Sequence, residues 1–352
     1  MNNLFFQELK KNESFDPLTL CLVAPFTQAE FYGRWQESLD REVRRFVVWQ
    51  NDRAIAYFQL IRYRLVYNKS YLYVPYGPVV TEFSESFFKS LRTELVNLAR
   101  QDGAIFVRLD FTPPIDKNTE KKLLAKIFTA AAPRTYQSAY FQPRTEWWLN
   151  LNKTEDELLN EMQKGARYSV RTAVRKGVIL ETVATDFEKY FPVFYELLLN
   201  TAERNGFSLH HKTYYQNIFK NLRPDNAYLT VAKYKEKILV IKLVIRYGQV
   251  ASCIFSGSSN EHRDRRPTYL AQWSAICQAK KLGHNFYNFG GVSSSTRIYQ
   301  GWDGLTSFKK NFGGYEMVHS DFYDVVANPI WYHLYNLGKF IKNLIKIFRS
   351  GR

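Results

Sequence analysis

The chain repeats one pattern of segments about 180 residues apart, and this repeat constrains the fold more strongly than any other feature. Each copy reads as a β-hairpin, a further strand, and then a helix that ends at a glycine and leads into another strand. The matched segments are 48–60 with 231–244, 70–80 with 250–259, and 95–111 with 275–291. The two glycines, Gly103 and Gly283, suit helix ends because glycine accepts positive φ. Three matches in one order predict two similar domains, each an α/β fold with a mixed sheet.

The length of the chain agrees with two domains. At 352 residues it exceeds the size at which a single hydrophobic core usually stops growing. We place the first domain at residues 1–147 and the second at 148–324, and we expect segment 325–352 to complete the first. With 45% hydrophobic and 23% charged residues, the composition is typical of a globular protein.

The cysteines and the first residues bear on location. Cys21, Cys253 and Cys277 form no CxxC pair and no even framework, which favours a reducing compartment over a disulfide scaffold or a zinc site. The N-terminal residues have no long apolar core, unlike a secretory signal, and the chain has no run of 18 apolar residues. We expect a cytoplasmic monomer, at most peripheral on the inner face of the cell membrane.

A formal net charge of +16 favours an anionic partner, such as nucleic acid, a phosphorylated substrate or an anionic membrane surface. Solubility alone is the competing explanation. The sequence predicts a helix over 154–176 that opens with a capping box of Thr154 and Glu157 and ends at Gly177. Four basic residues share one face of it: Lys164, Arg167, Arg171 and Arg175. Because no acidic residue lies between 161 and 181, we interpret this face as a phosphate-binding platform rather than a solvated surface.

The C-terminal segment 337–349 has the pattern of a basic amphipathic helix. One stripe consists of Lys339, Lys342, Lys346 and Arg349, and the opposite stripe consists of Phe340, Ile341, Leu344, Ile345 and Phe348. Such a helix suits an anionic bilayer surface. Docking on the protein's own core is the alternative, and it fits the first half of the tail better.

The sequence contains none of the motifs GxxxxGK[ST], GxGxxG after a strand, HExxH and GxSxG. The six histidines do not have a metal-binding spacing, so we expect no metal. A serine–histidine–aspartate triad stays open, although no pattern indicates one. We therefore expect a substrate that arrives already activated, with the protein supplying position and electrostatics.

The stretch "GWDGLTSFKKNFGGYE", residues 301–316, sets two adjacent lysines among aromatics and glycines. Read as a strand, it places Phe308 and Lys310 on one side and Lys309 on the other, because side chains alternate along a strand. This reading predicts that only one of the two lysines faces a buried or cleft side.

Several segments together resemble the Fem (FemABX) family of aminoacyl-tRNA-dependent transferases, which build the interpeptide bridges of peptidoglycan. They are "TQAEFYGRWQ", "YVPYGPVV", "FVRLDFTPP", "KGARYSVRTAVRKGV", "TAERNGFSLHHKTYY", "FSGSS", "PTYLAQWSAICQAKKLGHNFYNFGGV" and "GLTSFKKNFGG". The likeness covers roughly residues 20–325. It implies two tandem domains of the GNAT-like acyltransferase fold. Because no long heptad stretch occurs, the chain resembles the compact members that lack a helical arm.

The resemblance implies that an amine on the stem peptide of a peptidoglycan precursor, UDP-linked or lipid-linked, attacks an amino acid esterified to tRNA. Aminoacyl-tRNA is then the co-substrate, without a further cofactor, and the basic helix at 154–176 is the candidate to hold it. By the same resemblance Lys309 is the lysine on the cleft side, and Lys310 lies on the outer face. Lys309 faces the acyl group, where a fixed cation stabilises the oxyanion by about 10²–10³ in rate, or a substrate phosphate. Phe308 positions backbone beside it. Asp110 orients the amine, because a carboxylate is a poor base for an ammonium group. Arg204 meets the diphosphate of the precursor.

The resemblance further implies substrate-binding roles for Gln36, Tyr73, Ser208 and Phe255. The sequence departs from the family pattern at three places. Gln36 stands where a compact member has a phosphate-contacting lysine, Phe255 where tyrosine is common, and Tyr76 where arginine is frequent. The first departure weakens the expectation that the diphosphate is clamped in the family's way, and the second removes a hydroxyl donor.

Purely structural roles are the alternatives for the three main candidates. Lys309 would be a solvated strand lysine. Asp110 would pair with Arg108 or cap a turn. Arg204 would form an ion pair with Glu203 or a neighbour at the end of its helix.

Other functions stay open as well. An acyl-CoA N-acyltransferase would use the same fold, but the two places for its pyrophosphate loop read "PVVTEFSESF" and "EHRDRRPTYLAQW" and lack the required glycines. A tRNA-dependent transferase that tags protein N-termini is a further enzymatic option. A basic RNA- or membrane-binding module without catalysis is the non-enzymatic alternative.

Overall fold

The computed structural model describes residues 4–112, 120–131, 142–293 and 302–350, with side chains for all of these except 120–121, 342–344 and 346–350. The chain forms two compact units. The first consists of Met1–Arg144 with His319–Arg352, and the second of Thr145–Val318. The sequence places the corresponding boundaries at 147/148 and 324/325, and it likewise assigns the C-terminal segment to the first unit.

The strands and helices alternate along the chain. The strands are β1 (Leu4–Glu8), β2 (Val43–Gln50), β3 (Arg53–Arg64), β4 (Ser70–Val74), β5 (Val79–Val80), β6 (Phe106–Leu109), β7 (Thr129–Ala130), β8 (Thr145–Asn150), β9 (Ile179–Val183), β10 (Ala227–Tyr234), β11 (Lys237–Tyr247), β12 (Val250–Ser258), β13 (Phe286–Gly291), β14 (Tyr315–Val318) and β15 (Tyr323–Val326). The helices are α1 (Glu30–Glu37), α2 (Glu85–Gln101), α3 (Glu155–Glu161), α4 (Lys164–Arg175), α5 (Phe187–Asn205), α6 (Lys212–Asn221), α7 (Pro267–Lys281), α8 (Asp303–Lys310) and α9 (Pro329–Ser350).

The two sheets have the same spatial order of equivalent strands. The strand order is β1-β2-β3-β4-β6-β15-β7 in the first unit, with β5 pairing β3, and β9-β10-β11-β12-β13-β8-β14 in the second. In each sheet one neighbouring pair of the repeat is parallel, β4 with β6 and β12 with β13, while the other pairs are antiparallel. The prediction of two similar mixed α/β domains is therefore confirmed.

Local signals account for the ends of the repeated elements. The β2–β3 hairpin turns at Asn51 and Asp52, which both have positive φ and belong to the residue types that tolerate it. Ser84 caps the N-terminus of α2, and its hydroxyl accepts a hydrogen bond from the N–H of Phe87. Gly103 and Gly283 have φ values of 61° and 81° just after α2 and α7, so the predicted glycine ends are confirmed.

The strands that complete each sheet come from unexpected places in the chain. In the first unit, β15 pairs with β6 although Asp324 and Arg108 are separated by 216 residues. Their side chains form a buried bidentate ion pair with N···O distances of 2.8 and 2.7 Å. In the second unit the corresponding strand beside β13 is β8, which precedes the rest of that unit.

The basic segment predicted as one helix over 154–176 consists of two helices, so that prediction is wrong in part. The capping box of Thr154 and Glu157 opens α3 and is confirmed. The chain is then extended at Met162, whose side chain is buried in the core of the second unit. The N–H of Gln163 donates to the carbonyl oxygen of Asn311 at 2.9 Å instead of continuing a helix. Helix α4 begins afterwards and ends before Gly177, which has a φ of 75°.

The C-terminal helix α9 docks by its first turns on the first unit. The Tyr332 hydroxyl donates to the Asp324 carboxylate at 2.8 Å, and the rings of Tyr335 and Phe106 lie 5.1 Å apart. Further along, the described side chains of Leu337 and Ile341 are about half exposed. The predicted stripes also include Lys342, Leu344, Lys346, Phe348 and Arg349, whose side chains lie outside the described ones. Within the described part of the chain, no helix has the length and apolar character needed to cross a membrane.

Candidate functional site

A large pocket of the second unit lies where the pairing of its two parallel strands ends. Strands β12 and β13 pair from Val250 to Ser252 and from Phe286 to Asn288. Beyond that point the register between β11 and β12 shifts after Leu243, which leaves one extra residue in β12. The pocket occupies about 710 Å³ here. Its walls come from β11, β12, β13, α5, α7 and α8.

The charge of this pocket is one-sided. Five cationic residues are among the described residues that line it: Arg204, Lys242, Arg263, Arg266 and Lys309. None of those lining residues is an aspartate or a glutamate. Arg263 and Arg266 are exposed, whereas Lys242 and Lys309 are buried. Such a cavity has a strongly positive potential and favours an anionic ligand, with two cations deep in the protein and others near solvent.

Lys309 lies on a helix, so the prediction of a strand at this position is wrong. In α8 the buried residues are Thr306 and Lys309, three positions apart and therefore on one face. Lys310 follows about 100° further around the helix, is half exposed, and lies over the ring of Trp147 at 5.0 Å. Lys309 is thus the buried lysine of the pair because it lies on the buried face of a helix, and not because side chains alternate along a strand.

The Lys309 ammonium is held against the end of β13. Its Nζ donates to the carbonyl oxygen of Gly291 at 2.6 Å. The neighbouring Gly290 has a φ of 78°, and a Cβ added there would lie 3.7 Å from Nζ. Burial lowers the pKa of Lys309 to about 8, with Cys253 and Glu146 opposing that change and Lys242 adding to it. The structure therefore excludes the solvated lysine as an explanation of Lys309.

Arg204 is positioned by the close packing of α5 on β12. Gly257 allows this packing, because an added Cβ would lie 2.8 Å from the backbone nitrogen of Leu198. The Arg204 guanidinium, at the end of α5, donates to Ser258 Oγ at 2.7 Å and to the side-chain oxygen of Asn260. Among the residues that the structure describes, Arg204 forms no ion pair with Glu203 or another carboxylate, so that alternative is wrong.

Two of the predicted aromatic residues line the same pocket. Phe308 packs edge to face against Tyr269 with ring centroids 5.1 Å apart, and Phe255 packs in the same way against Tyr215 at 5.2 Å. Ser208 is exposed and is not one of the described residues that line the pocket. The second unit thus brings together Arg204, Phe255, Phe308 and Lys309 around one cavity and leaves Ser208 outside it.

Asp110 lies in the first unit, directly after β6. Strand β6 pairs in parallel with β4 and is the counterpart of β13 in the second unit. Its carboxylate accepts hydrogen bonds from the Tyr73 hydroxyl at 2.8 Å and from the Tyr76 N–H at 2.6 Å. Burial raises the pKa of Asp110 to about 7, although those two hydrogen bonds act in the opposite direction. The proposed pairing with Arg108 is wrong, because Arg108 binds Asp324. The bond to the Tyr76 N–H does support the alternative of a turn-stabilising role.

Gln36 is buried on α1 of the first unit, and its side-chain oxygen accepts a hydrogen bond from Arg41. The Arg41 guanidinium lies over the ring of Tyr63 at 4.4 Å, and Tyr63 packs against Tyr73 with centroids 6.1 Å apart. Arg41 therefore places a positive charge next to Gln36, the position at which a compact family member has a lysine. Arg41 was not identified from the sequence, where nothing distinguishes it from other surface arginines.

The basic helix presents most of its charge to solvent. Lys164, Arg171 and Arg175 are exposed, while Arg167 is half buried and donates to Asn160. An exposed aromatic, Tyr168, lies among them and contacts Arg175 at 5.8 Å. Within the described ranges no group of histidine, cysteine, aspartate and glutamate side chains is arranged to hold a metal.

Sequence reasoning missed Lys242, although a signal was present. The segment "KILVIKLVIRY" that forms β11 places a single lysine in the middle of an apolar run. A charged residue at the centre of a buried strand is rare unless it has a partner or a ligand.

Comparisons with known proteins agree with this architecture. The family model described as the FemAB family matches the chain over residues 22–239 and 233–339. A lipid II:glycine glycyltransferase of Staphylococcus aureus (strain USA300) is 24% identical over an alignment 350 positions long, gaps included, and the match covers 79% of this chain and 82% of the relative.

Solved structures extend the comparison to the fold. The crystal structure of FemX superposes with a TM-score of 0.81 at 20% identity, covering 93% of this chain and 99% of that chain. A tandem GNAT protein from the clavulanic acid biosynthesis pathway superposes with a TM-score of 0.55 at 15% identity, with 93% and 99% covered. The tandem GNAT-like fold and the family resemblance are confirmed, and the chain is an enzyme of the acyl-transfer class.

Proposed function

The chain belongs to the FemAB family, and on this premise we propose that it transfers an amino acid from aminoacyl-tRNA to a stem-peptide amine of a peptidoglycan precursor. The name of the Staphylococcus relative supports an acceptor of the lipid II type and a role in bridge formation. The observation that carries the proposal is the pocket of the second unit, which is lined by five cations and by no carboxylate among the described residues. Both proposed substrates are anionic, since tRNA carries phosphodiesters and the precursor carries a diphosphate.

In the proposed reaction the amine nitrogen attacks the carbonyl carbon of the aminoacyl ester. A tetrahedral intermediate forms with negative charge on the former carbonyl oxygen, and the ester C–O bond then breaks to release the ribose oxygen of the tRNA. The amine loses a proton and the ribose oxygen gains one, so a new amide and a free tRNA hydroxyl result. No metal, redox partner or coenzyme A is needed for this balance.

Lys309 is suited to the oxyanion of this intermediate. Its ammonium is buried, is fixed by the Gly291 carbonyl oxygen, and has further N–H donors for a ligand. In a water-excluded site a fixed cation stabilises developing charge far better than in water. Because the pKa of Lys309 is lowered to about 8, the ammonium form still predominates at pH 7.

Asp110 has a property that suits proton exchange with an amine. A pKa of about 7 lets its carboxyl group gain or lose a proton near neutral pH, unlike an ordinary aspartate. The Tyr73 hydroxyl and the Tyr76 N–H fix its two oxygens and therefore its orientation. We assign it to the orientation of the acceptor amine, with Tyr73 as its support.

The exposed face of α4 is the proposed contact for the tRNA backbone. Lys164, Arg171 and Arg175 provide cations on one helix face, and Tyr168 provides a ring on which a base can stack. Replacing these cations should weaken tRNA binding and reduce its salt dependence, while the chemistry at Lys309 stays intact.

The test is mass spectrometry of the acceptor after incubation of the purified chain with a full set of charged tRNAs. UDP-linked and lipid-linked muramyl pentapeptide are supplied in parallel reactions. A mass gain of one amino-acid residue, lost with Lys309→Met and retained with Lys310→Met, is the expected result. It also identifies the amino acid and the acceptor.

Two further reactions separate the alternatives. Acetyl-CoA in place of charged tRNA should give no product, since the loop before α7 lacks the glycines of a pyrophosphate loop. If no acceptor gains mass while charged tRNA is still bound, the chain is a binding module and the proposed function is wrong.

A further inference from the structure

Lys242 is a buried lysine for which the proposed function has no use so far. It lies in the middle of β11, and only 3% of its surface is exposed. Its neighbours along the strand, Ile241 and Leu243, are fully buried in apolar surroundings. A lysine at such a position destabilises the folded state, because an unpaired ammonium loses its hydration on burial.

The contacts of Lys242 do not neutralise its charge. Its Nζ donates to the hydroxyl of Ser256, its cross-strand partner on β12, at 3.2 Å. The ring of Phe308 provides a weaker cation–π contact at 5.5 Å. Among the described residues neither Lys242 nor Lys309 forms an ion pair with a carboxylate. Burial lowers the pKa of Lys242, as expected of an ammonium without a counterion.

Both buried lysines face the same cavity. Lys242 and Lys309 line the pocket of the second unit, and their positive charges act on each other, since Lys242 contributes to the lowered pKa of Lys309. Two like charges that share a buried site repel each other, and an anion that binds between or beside them relieves this repulsion while both lysines keep their protons. Ser256 and Phe308 fix the Lys242 side chain but leave N–H donors of its ammonium without a partner of opposite charge.

We propose that Lys242 forms a subsite for a phosphate group of a substrate beside Lys309, whose own ammonium is assigned to the oxyanion. The inference rests on the proposed function for the identity of that substrate. Two sources carry the same chemistry: a phosphodiester near the 3′ end of the tRNA, and the diphosphate of the peptidoglycan precursor. The three arginines of the pocket, Arg204, Arg263 and Arg266, then extend the path of positive charge from this subsite.

The test measures phosphate binding without turnover. Inorganic pyrophosphate, the trinucleotide CCA and UDP are each titrated into the full chain by calorimetry. Removing one charge-assisted hydrogen bond in Lys242→Met should raise the Kd for pyrophosphate about 10- to 100-fold. Lys237→Met is the matched control, because Lys237 lies on the same strand, is exposed, and pairs with Glu261 at 2.6 Å.

The other two ligands distinguish the sources of the phosphate. A weaker affinity of Lys242→Met for CCA alone assigns the subsite to the tRNA, and a weaker affinity for UDP alone assigns it to the precursor. Unchanged affinity for all three ligands, or no binding of pyrophosphate by the wild-type chain, overturns the inference. Lys242→Gln is measured alongside, so that a folding defect of one variant does not decide the result.

The same variants separate this inference from the proposed function. If the wild-type chain aminoacylates its acceptor and Lys242→Met does so with unchanged kcat and KM and unchanged pyrophosphate binding, the subsite is wrong and the function stands. The opposite outcome is also possible. If the wild-type chain binds pyrophosphate but transfers no amino acid, and Lys242→Met no longer binds pyrophosphate, the subsite stands and the proposed function is wrong.

Discussion

The buried carboxylate of Asp110 leads to a prediction about stability that does not depend on knowing the substrate. In Asp110→Asn the side chain keeps its shape and its acceptor for the Tyr76 N–H. The Tyr73 hydroxyl, which donates to the other oxygen in the wild type, can instead accept from the new amide. The substitution therefore removes a buried charge and keeps both hydrogen-bonded contacts, with the one to Tyr73 reversed in direction.

The magnitude follows from the pKa of Asp110. The unfolded carboxyl ionises near its ordinary value of 3.8, and the folded one near about 7. Between these values the folded state holds the extra proton, so its stability falls as the pH rises and the full cost is present above about pH 7. At 1.36 kcal/mol per pH unit, this interval corresponds to about 4 kcal/mol. The asparagine variant does not ionise and escapes that cost.

The assay is thermal unfolding of both proteins at pH 4.5 and pH 8. We expect Asp110→Asn to be more stable than the wild type by only about 1 kcal/mol at pH 4.5 and by about 4 kcal/mol at pH 8. That free energy corresponds to roughly 8–16 °C for a unit of this size. Amino-acid transfer should fall in the same variant, as expected of a residue that is maintained at the expense of stability.

Asp324→Asn is the matched control. It is also a buried aspartate of the first unit, but it forms the bidentate pair with Arg108. Its loss leaves a buried guanidinium uncompensated and should destabilise the protein by about 3–5 kcal/mol at pH 8. If Asp110→Asn is less stable than the wild type at pH 8, or differs from it equally at both pH values, the reasoning about an unpaired buried carboxylate is wrong.

Three further predictions concern activity. Lys309→Met should lower kcat about 10²–10³-fold, and the half-exposed Lys310→Met should not, as measured by single-turnover transfer; equal losses would contradict the assignment. With increasing pH, kcat/KM should rise as the Asp110 carboxyl ionises near pH 7 and fall as Lys309 loses its proton above about pH 8. The rise on the acidic side should be absent in Asp110→Asn, and a flat profile of the wild type would count against both residues. Arg41→Met should raise the KM for the precursor about tenfold or more with kcat unchanged, if this arginine supplies the charge that Gln36 lacks; an unchanged KM would leave Arg41 with a structural role.

The fold was largely predictable because its signals are local and repeated. The hairpin turn at Asn51 and Asp52 and the helix ends at Gly103 and Gly283 each depend on residue types with a clear φ preference. The helix-end glycines recur 180 residues apart, so each supports the assignment of the other. The helix break at Met162 has no such local signal, because it depends on the burial of that side chain in the core.

The site was predictable only where a family pattern named the residue. Lys309 was correctly expected to be buried, but its place on a helix was missed, since "GLTSFKK" between glycines and aromatics gives no periodicity long enough to separate helix from strand. The partner of Arg108 could not be inferred, because Asp324 reaches it from 216 residues away through strand pairing. Lys242 and Arg41 depend on what faces them in three dimensions, which composition and spacing do not encode.

The return of β15 to the first sheet has a consequence for the order in which the protein can fold during synthesis. When β6 leaves the ribosome, Arg108 has no carboxylate to bind, and its partner Asp324 is translated 216 residues later. At typical translation rates this gap lasts about 10–45 s. In the second unit β8 is translated before the other strands of its sheet. All strands of the second unit are therefore translated before β15, the last strand of the first unit. The half that is translated first is thus the half that closes last, and a stalled ribosome would expose the edge of β6 to other nascent chains.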